Sequence, residues 1–105
     1  MSKTDPRVQI VEEEVHLTLL ELCHACRAST EFVIAWVDEG VLEPVGEAPL
    51  NWRFTGQSLR RARLALSLTR DLEINPPGIA LALDLLDKIA TLEAQLQRLG
   101  VRGQQ

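Results

Sequence analysis

The chain has 105 residues and a formal net charge of −4, and 46% of its residues are hydrophobic while 25% are charged. This length suits a single domain, and the apolar content is sufficient for a buried core, which excludes a disordered acidic tail or a low-complexity segment. Charged residues interrupt every apolar stretch before it reaches the roughly 18 residues of a membrane helix, and residues 1–6 lack the apolar segment of a secretory signal. We therefore expect a cytoplasmic protein that does not contact a membrane.

Charge is divided unevenly between the two halves of the chain. Residues 1–52 hold three basic and ten acidic side chains, a net charge of −7, whereas residues 53–105 hold eight basic and five acidic side chains, a net charge of +3. This division favours two separate contact faces over one nucleic-acid footprint, although solvated charges without any partner can be distributed in the same way.

A short strand and a first helix are predicted near the N-terminus. Residues 7–16 are rich in β-branched side chains and partly alternate in polarity, which favours a strand. Thr18 and Glu21 have the spacing of a capping box, in which the hydroxyl accepts a backbone N–H and the carboxylate reaches back to the N-cap N–H. A helix therefore begins after Thr18 and runs to about Arg27.

A second helix follows after three residues, 28–30, which predicts a helix-turn-helix. Ser29 is a suitable N-cap, Glu31 lies in the first turn, where the helix dipole favours a negative charge, and Gly40 ends the helix as a left-handed cap. The apolar stripe of this helix consists of Phe32, Val33, Trp36 and Val37.

The next segment predicts a small β-wing and a third helix. Residues 43–54 contain two prolines and a glycine, so they are not helical throughout. Val45 and residues 52–54 form two short strands around a turn, and Thr55 caps a helix that runs to about Leu72.

The last predicted helix, residues 76–99, carries the most regular apolar pattern. Asn75 caps it, and prolines occupy its first turn, where their missing N–H costs nothing. Its heptad seam predicts a homodimer, although the same seam also fits a helix packed wholly on its own domain. The seam consists of Ala82, Leu85, Ile89, Leu92, Leu96 and Leu99, and a second apolar face over the first turns consists of Ile79, Leu83 and Leu86.

Cys23 and Cys26 form a CxxC pair, which raises the alternative of a redox or zinc-dependent sensor. A structural zinc site needs four ligands, and the sequence has no second CxxC and only two histidines, so two small core residues are the favoured interpretation. No side chain stands in a nucleophile-elbow or P-loop spacing. We therefore expect no enzyme, no catalytic residue, no metal and no cofactor.

The order of these elements resembles the winged-helix fold of the MerR family. Glu21-Leu22-Cys23 is similar to that family's Glu-Leu-Ala, residues 40–44 resemble its Gly-Leu-Leu-x-Pro, and residues 52–55 resemble its wing motif. The resemblance implies a mainly α fold, a MerR-like winged helix-turn-helix with a short β-wing and a long C-terminal dimerisation helix. The corresponding segments are a winged-helix-like domain at 1–75, the dimerisation helix at 76–99 and a disordered tail at 100–105.

A narrower resemblance, to the CbpM family of chaperone modulators, covers nearly the whole chain. It rests on residues 32–44, on the Pro-Gly-Ile-Ala opening at residues 77–80 and on the run at residues 85–92. The resemblance implies a protein that binds the J-domain of CbpA, a DnaJ-like co-chaperone that also binds DNA. It further implies that binding inhibits both the co-chaperone activity and the DNA binding of CbpA.

The second helix departs from a DNA-reading helix. In MerR regulators an Arg-Tyr-Tyr run contacts DNA, and the matching residues here are Ile34, Ala35 and Trp36. The second helix has no basic residue, whereas duplex binding depends on Lys and Arg to displace counterions, so no specific nucleic-acid binding is expected. A MerR-like DNA-binding transcription regulator remains the alternative, and its possible phosphate contacts are Arg53, Arg60, Arg61 and Arg63.

An acidic surface suits the positive face of a J-domain. We expect Val41 and Leu42 to form the apolar centre of the contact, although both also fit the core of the domain. Inhibition then follows from steric competition, because a covered J-domain cannot meet the chaperone. The charged rim of the contact is predicted at Glu31, Asp38, Glu39 and Glu43.

Overall fold

Four α-helices and one short 3-10 helix make up most of residues 15–100, which are the residues that the computed structural model describes. Residues 7–14 of the predicted strand and residues 101–105 of the predicted tail lie outside the described residues, and Val15 and His16 belong to no helix or strand. The helices are α1 (Leu19–Cys26), α2 (Thr30–Asp38), a 3-10 helix (Pro49–Asn51), α3 (Gly56–Leu72) and α4 (Pro76–Arg98).

Every α-helix begins at the N-cap that the sequence predicts. The Thr18 hydroxyl accepts from the Glu21 N–H at 3.1 Å, and the Glu21 carboxylate accepts from the Thr18 N–H at 2.9 Å, so the capping box is complete. The side chains of Ser29, Thr55 and Asn75 each accept a backbone N–H three residues on. Each cap contributes about 1 kcal/mol, which fixes where the helices start.

The core lies where α1, α2 and α3 meet the first two turns of α4. Trp36 and Phe54 are fully buried there, and Trp52 is 8% exposed, so both tryptophans belong to the core. The ring of Phe32 stacks on Trp36 with centroids 5.8 Å apart, and Trp52 meets Phe54 edge to face at 5.9 Å. The remaining large buried side chains are Leu22, Val33, Leu42, Ile79 and Leu83.

The wing is smaller than predicted. Val45 forms one isolated antiparallel bridge with Arg53, while Phe54 pairs with Leu17 instead, so residues 45–54 contain a single bridge and the 3-10 helix rather than two paired strands. Gly46 has φ +119°, and a Cβ there would lie 2.5 Å from the Asn51 carbonyl oxygen. The chain turns sharply at this close approach, and the antiparallel pairing of the wing is limited to the bridge between Val45 and Arg53.

Only the first part of α4 packs on the domain. Ile79 and Leu83 are buried as predicted, but Leu86 is 45% exposed. Every residue from Asp84 to Arg98 is exposed, including the predicted seam from Leu85 onward, so this part of the helix extends away from the core. None of the described helices is long and apolar enough to cross a membrane.

Candidate partner-binding site

The predicted acidic rim occupies both ends of α2. Glu31 lies in the first turn, whereas Asp38, Glu39 and Glu43 follow one another at the C-terminal end, and all four are exposed. Glu31 and Asp38 are seven positions apart in the helix, which corresponds to about 10 Å along the axis. The structure therefore places Glu31 apart from the other three.

Val41 and Leu42 cannot supply the apolar centre of a contact. Each is only 2% exposed, which corrects the prediction that they face a partner. Gly40, with φ +81°, reverses the chain after α2, and the N–H groups of Val41 and Leu42 both donate to the Trp36 carbonyl, at 2.8 and 3.4 Å. This turn directs both side chains into the core, and the flanking glutamates remain at the surface.

Arg61 connects this turn to α4. Its Nε donates to the Val41 carbonyl at 2.9 Å, and its guanidinium NH1 group lies 3.1 Å from Oδ2 of Asp87. The side chain is therefore engaged within the molecule, which argues against its predicted role as a phosphate contact. It holds the loop after α2, helix α3 and helix α4 in one arrangement.

These three elements enclose a groove of about 790 Å³. Four carboxylates line it, and Arg61 is the one basic side chain among the lining residues. Glu39 and Glu43 belong to the predicted rim, whereas Asp84 and Asp87 were not predicted, because nothing in the local pattern of α4 connects them with residues that precede them by about forty positions. The lining residues are Glu39, Gly40, Val41, Glu43, Thr55, Gln57, Ser58, Arg61, Ala80, Leu81, Asp84 and Asp87.

The four arginines of the DNA-binding alternative do not share one face. Arg60 and Arg63 are three residues apart on α3 and exposed, while Arg61 points to α4. Arg53 lies in the wing, where its NH1 group donates to the Trp52 carbonyl at 2.8 Å.

Helix α2 also lacks the features of a DNA-reading helix. At the positions that match DNA contacts in MerR regulators, Trp36 is buried and Ile34 and Ala35 are half-buried. The helix contains no Lys, Arg or His, and its charged residues are Glu31 and Asp38. An exposed acidic helix end is repelled by a duplex, so the arrangement favours a protein partner.

The two cysteines lie in a protected environment. Cys26 is 5% exposed and Cys23 is half-buried, and burial raises the pKa of both thiols. A raised thiol pKa lowers the fraction of reactive thiolate. No group of three or more metal-binding side chains occurs within residues 15–100, so the geometry gives the sensor alternative no support.

Comparison with known proteins adds independent evidence. A family model described as "MerR HTH family regulatory protein" matches residues 17–100. A protein of Coxiella burnetii named "Chaperone modulatory protein CbpM" is 47% identical over 90 residues, which cover 86% of this chain and 85% of that protein. A Pseudomonas putida protein with the same name is 36% identical over 82% of this chain and 89% of its own length.

The chain belongs to the CbpM family, within the MerR helix-turn-helix proteins. Membership confirms the resemblance to the CbpM family that the Pro-Gly-Ile-Ala opening of α4 and residues 32–44 indicate. The names of the CbpM relatives describe a chaperone modulator and the MerR family name describes a regulatory protein, neither of which is an enzyme.

Proposed function

We propose that this CbpM-family chain binds the J-domain of the DnaJ-like co-chaperone CbpA and inhibits it by steric competition. The same contact would block the DNA binding of CbpA. The family supports a chaperone modulator role. The observation that carries the choice of partner is the charge of the surface around α2, which has acidic groups at both ends and no basic residue between them.

Electrostatics favours a basic protein surface as the partner of this site. Asp38, Glu39 and Glu43 are exposed and close in sequence, so their fields add over the surface of an approaching protein. Such charges mainly accelerate encounter and select the partner, and their effect falls as salt screens them. Association with the positive face of a J-domain should therefore slow as the ionic strength rises.

Charge reversal tests the proposed contact. The double variant Asp38→Lys, Glu39→Lys should weaken binding of the purified CbpA J-domain by about tenfold or more, mainly through slower association. The matched control is Asp71→Lys with Glu93→Lys, because both residues are exposed and the change in net charge is the same. Equal affinities for the two double variants would contradict the proposed site.

Steric competition can be recognised from the way inhibition depends on the concentration of the chaperone. The full chain should reduce the stimulation of the DnaK-type ATPase by CbpA, and a higher concentration of the chaperone should restore it. Inhibition that no concentration of chaperone relieves would contradict competition for the J-domain surface.

We propose in addition that α4 pairs with the same helix of a second copy. The seam residues Leu85, Ile89, Leu92 and Leu96 are 44–58% exposed, and their 4, 3, 4 spacing is the heptad pattern of a coiled coil. A heptad seam selects another helix rather than a flat surface, because each seam side chain inserts between four side chains of the facing helix.

A further inference from the structure

We propose that the tip of the wing is the apolar anchor of the partner contact, and that it inserts into an apolar hollow bordered by basic side chains on the J-domain. The proposal rests on the proposed function, because it takes the J-domain as the partner. It supplies the apolar centre that Val41 and Leu42 cannot supply, since both are buried in the core. The wing tip consists of Val45, Ala48, Pro49 and Leu50.

The wing tip exposes a run of apolar side chains. Ala48, Pro49 and Leu50 are consecutive in sequence, and all three are exposed. Leu50 is 93% exposed and Val45 is 68% exposed, and no large hydrophobic side chain within residues 15–100 is more exposed than Leu50. Single apolar side chains are common on protein surfaces, whereas an exposed run of three in a turn, where polar residues are the rule, indicates a surface that a partner covers.

Backbone hydrogen bonds hold the wing in one conformation. Val45 and Arg53 each donate an N–H to the carbonyl of the other, at 3.0 and 2.9 Å. The Asn51 N–H donates to the Ala48 carbonyl at 2.8 Å, which closes the 3-10 helix that carries Leu50. An anchor that is already held in its bound conformation loses little conformational entropy when the complex forms.

The wing stands at the edge of the acidic groove. Glu43 precedes the wing and Thr55 follows it, and both residues line the groove. Leu50 follows Glu43 by seven residues, which limits their separation to about 25 Å. A standard interface buries about 800 Å² on each partner, which corresponds to a patch roughly 30 Å across. One partner can therefore cover both the acidic rim and the wing tip.

The charges beside the wing tip favour a basic border around the hollow. Glu43 and Glu47 lie two residues before and after Val45, and both are exposed. Within the described part of the chain neither carboxylate forms an ion pair. Arg53, the one basic residue in the sequence of the wing, donates from NH1 to the Trp52 carbonyl at 2.8 Å. An apolar centre with a carboxylate rim is complementary to an apolar hollow with a cationic rim.

Two matched leucines test the anchor by binding of the full chain to the purified CbpA J-domain. Leu50→Ala should weaken binding about tenfold, mainly through faster dissociation, and should leave the thermal stability and the salt dependence of association unchanged. Leu20→Ala, at a 72% exposed position on α1, should leave the affinity within about twofold. An effect on the dissociation rate separates an apolar anchor from the charged rim, whose reversal slows association.

The outcomes separate the anchor from the wider function. If the wild-type chain binds the J-domain and Leu50→Ala binds equally well, the wing tip is not the anchor and the proposed function stands. If the wild-type chain does not bind the J-domain, the proposed function and the proposed occupant are both wrong. If light scattering shows that Leu50→Ala has a lower mass than the wild-type species, the tip contacts a second copy and the anchor proposal is wrong.

A spin label beside the tip then locates the hollow on the partner. A nitroxide is attached to the full chain through Glu47→Cys, in a background that carries Cys23→Ala and Cys26→Ala. It should broaden the resonances of an apolar patch with neighbouring Lys or Arg residues on the isotope-labelled J-domain, whereas a nitroxide attached through Leu20→Cys should leave that patch unchanged. Binding of the Glu47-labelled chain without broadening of such a patch would overturn the proposal.

Discussion

Arg61 on α3 and Asp87 on α4 are joined by an ion pair, with NH1 3.1 Å from Oδ2. The side chains are 28% and 63% exposed, so the ion pair itself contributes less than about 1 kcal/mol. The part-buried hydrogen bond from Arg61 Nε to the Val41 carbonyl adds about 1 kcal/mol. The pairing matters chiefly because it fixes one wall of the acidic groove against the other.

Removing Arg61 should therefore destabilise the fold moderately. Arg61→Ala leaves the Val41 carbonyl without its donor, and we expect a loss of about 1–2 kcal/mol in the free energy of unfolding measured with urea. Arg61→Lys should recover less than half of this, because an ammonium cannot reproduce the forked contact. Arg63→Ala, an exposed arginine on the same helix, is the control and should change stability by under about 0.5 kcal/mol.

Leu42 should behave as a core residue. Leu42→Ala removes a side chain that is 2% exposed and should cost about 2–4 kcal/mol of unfolding free energy. Leu50→Ala is the control, since Leu50 is 93% exposed and should tolerate the change. A stable Leu42→Ala variant with weakened partner binding would restore the original prediction that this side chain faces the partner.

Leu92→Asp should abolish the proposed dimer. A carboxylate in the centre of a heptad seam is desolvated without a counter-charge, so light scattering should give half the mass of the wild-type species. Leu20→Asp, at a 72% exposed position on α1, should leave the mass unchanged. A wild-type mass equal to that of one chain would refute pairing through α4.

Glu73 ends α3 in a left-handed conformation, with φ 57° and ψ 38°. Side chains with a Cβ are strained there, whereas glycine is not, so Glu73→Gly should raise the free energy of unfolding by about 0.5–1 kcal/mol. Glu93→Gly, in the exposed interior of α4, should instead reduce helix stability by about 1 kcal/mol. If both variants lost a similar amount of unfolding free energy, the left-handed conformation of Glu73 would carry no strain.

Cys26 should react slowly with alkylating reagents. Burial raises its pKa, so less thiolate is present at pH 8 than for a free cysteine. The protonated thiol is favoured in the folded state, so this contribution to stability is present at neutral pH and is lost as the pH rises through the raised pKa. Iodoacetamide labelling followed by mass spectrometry, with Cys23→Ser to isolate the signal, measures the rate. A rate equal to that of an unfolded peptide would contradict the protected position.

The helix starts could be predicted because each depends on residues within one turn. Thr18 with Glu21 and Asn75 before two prolines carry their own hydrogen-bonding partners in sequence. The wing could not be predicted in the same way. Phe54 pairs with Leu17, which precedes it by 37 positions, and no local pattern in the sequence connects these two residues.

Only two of the four carboxylates that line the groove could be predicted from the sequence. Glu39 and Glu43 stand out as acidic residues beside a helix end, but Asp84 meets them only through the packing of α4. The sequence of residues 40–43 does not show whether Val41 and Leu42 face the core or the solvent. The change of chain direction at Gly40 turns both side chains into the core.

The exposed part of α4 has a consequence for stoichiometry. Beyond the contact of Asp87 with Arg61, residues 88–98 of α4 form an arm of about 16 Å, which would hold two domains apart if two arms pair. Such an assembly presents two acidic sites at once. If the proposed dimer meets a partner that itself carries two J-domains, the second engagement would be intramolecular, and avidity rather than single-site affinity would set the strength of the complex.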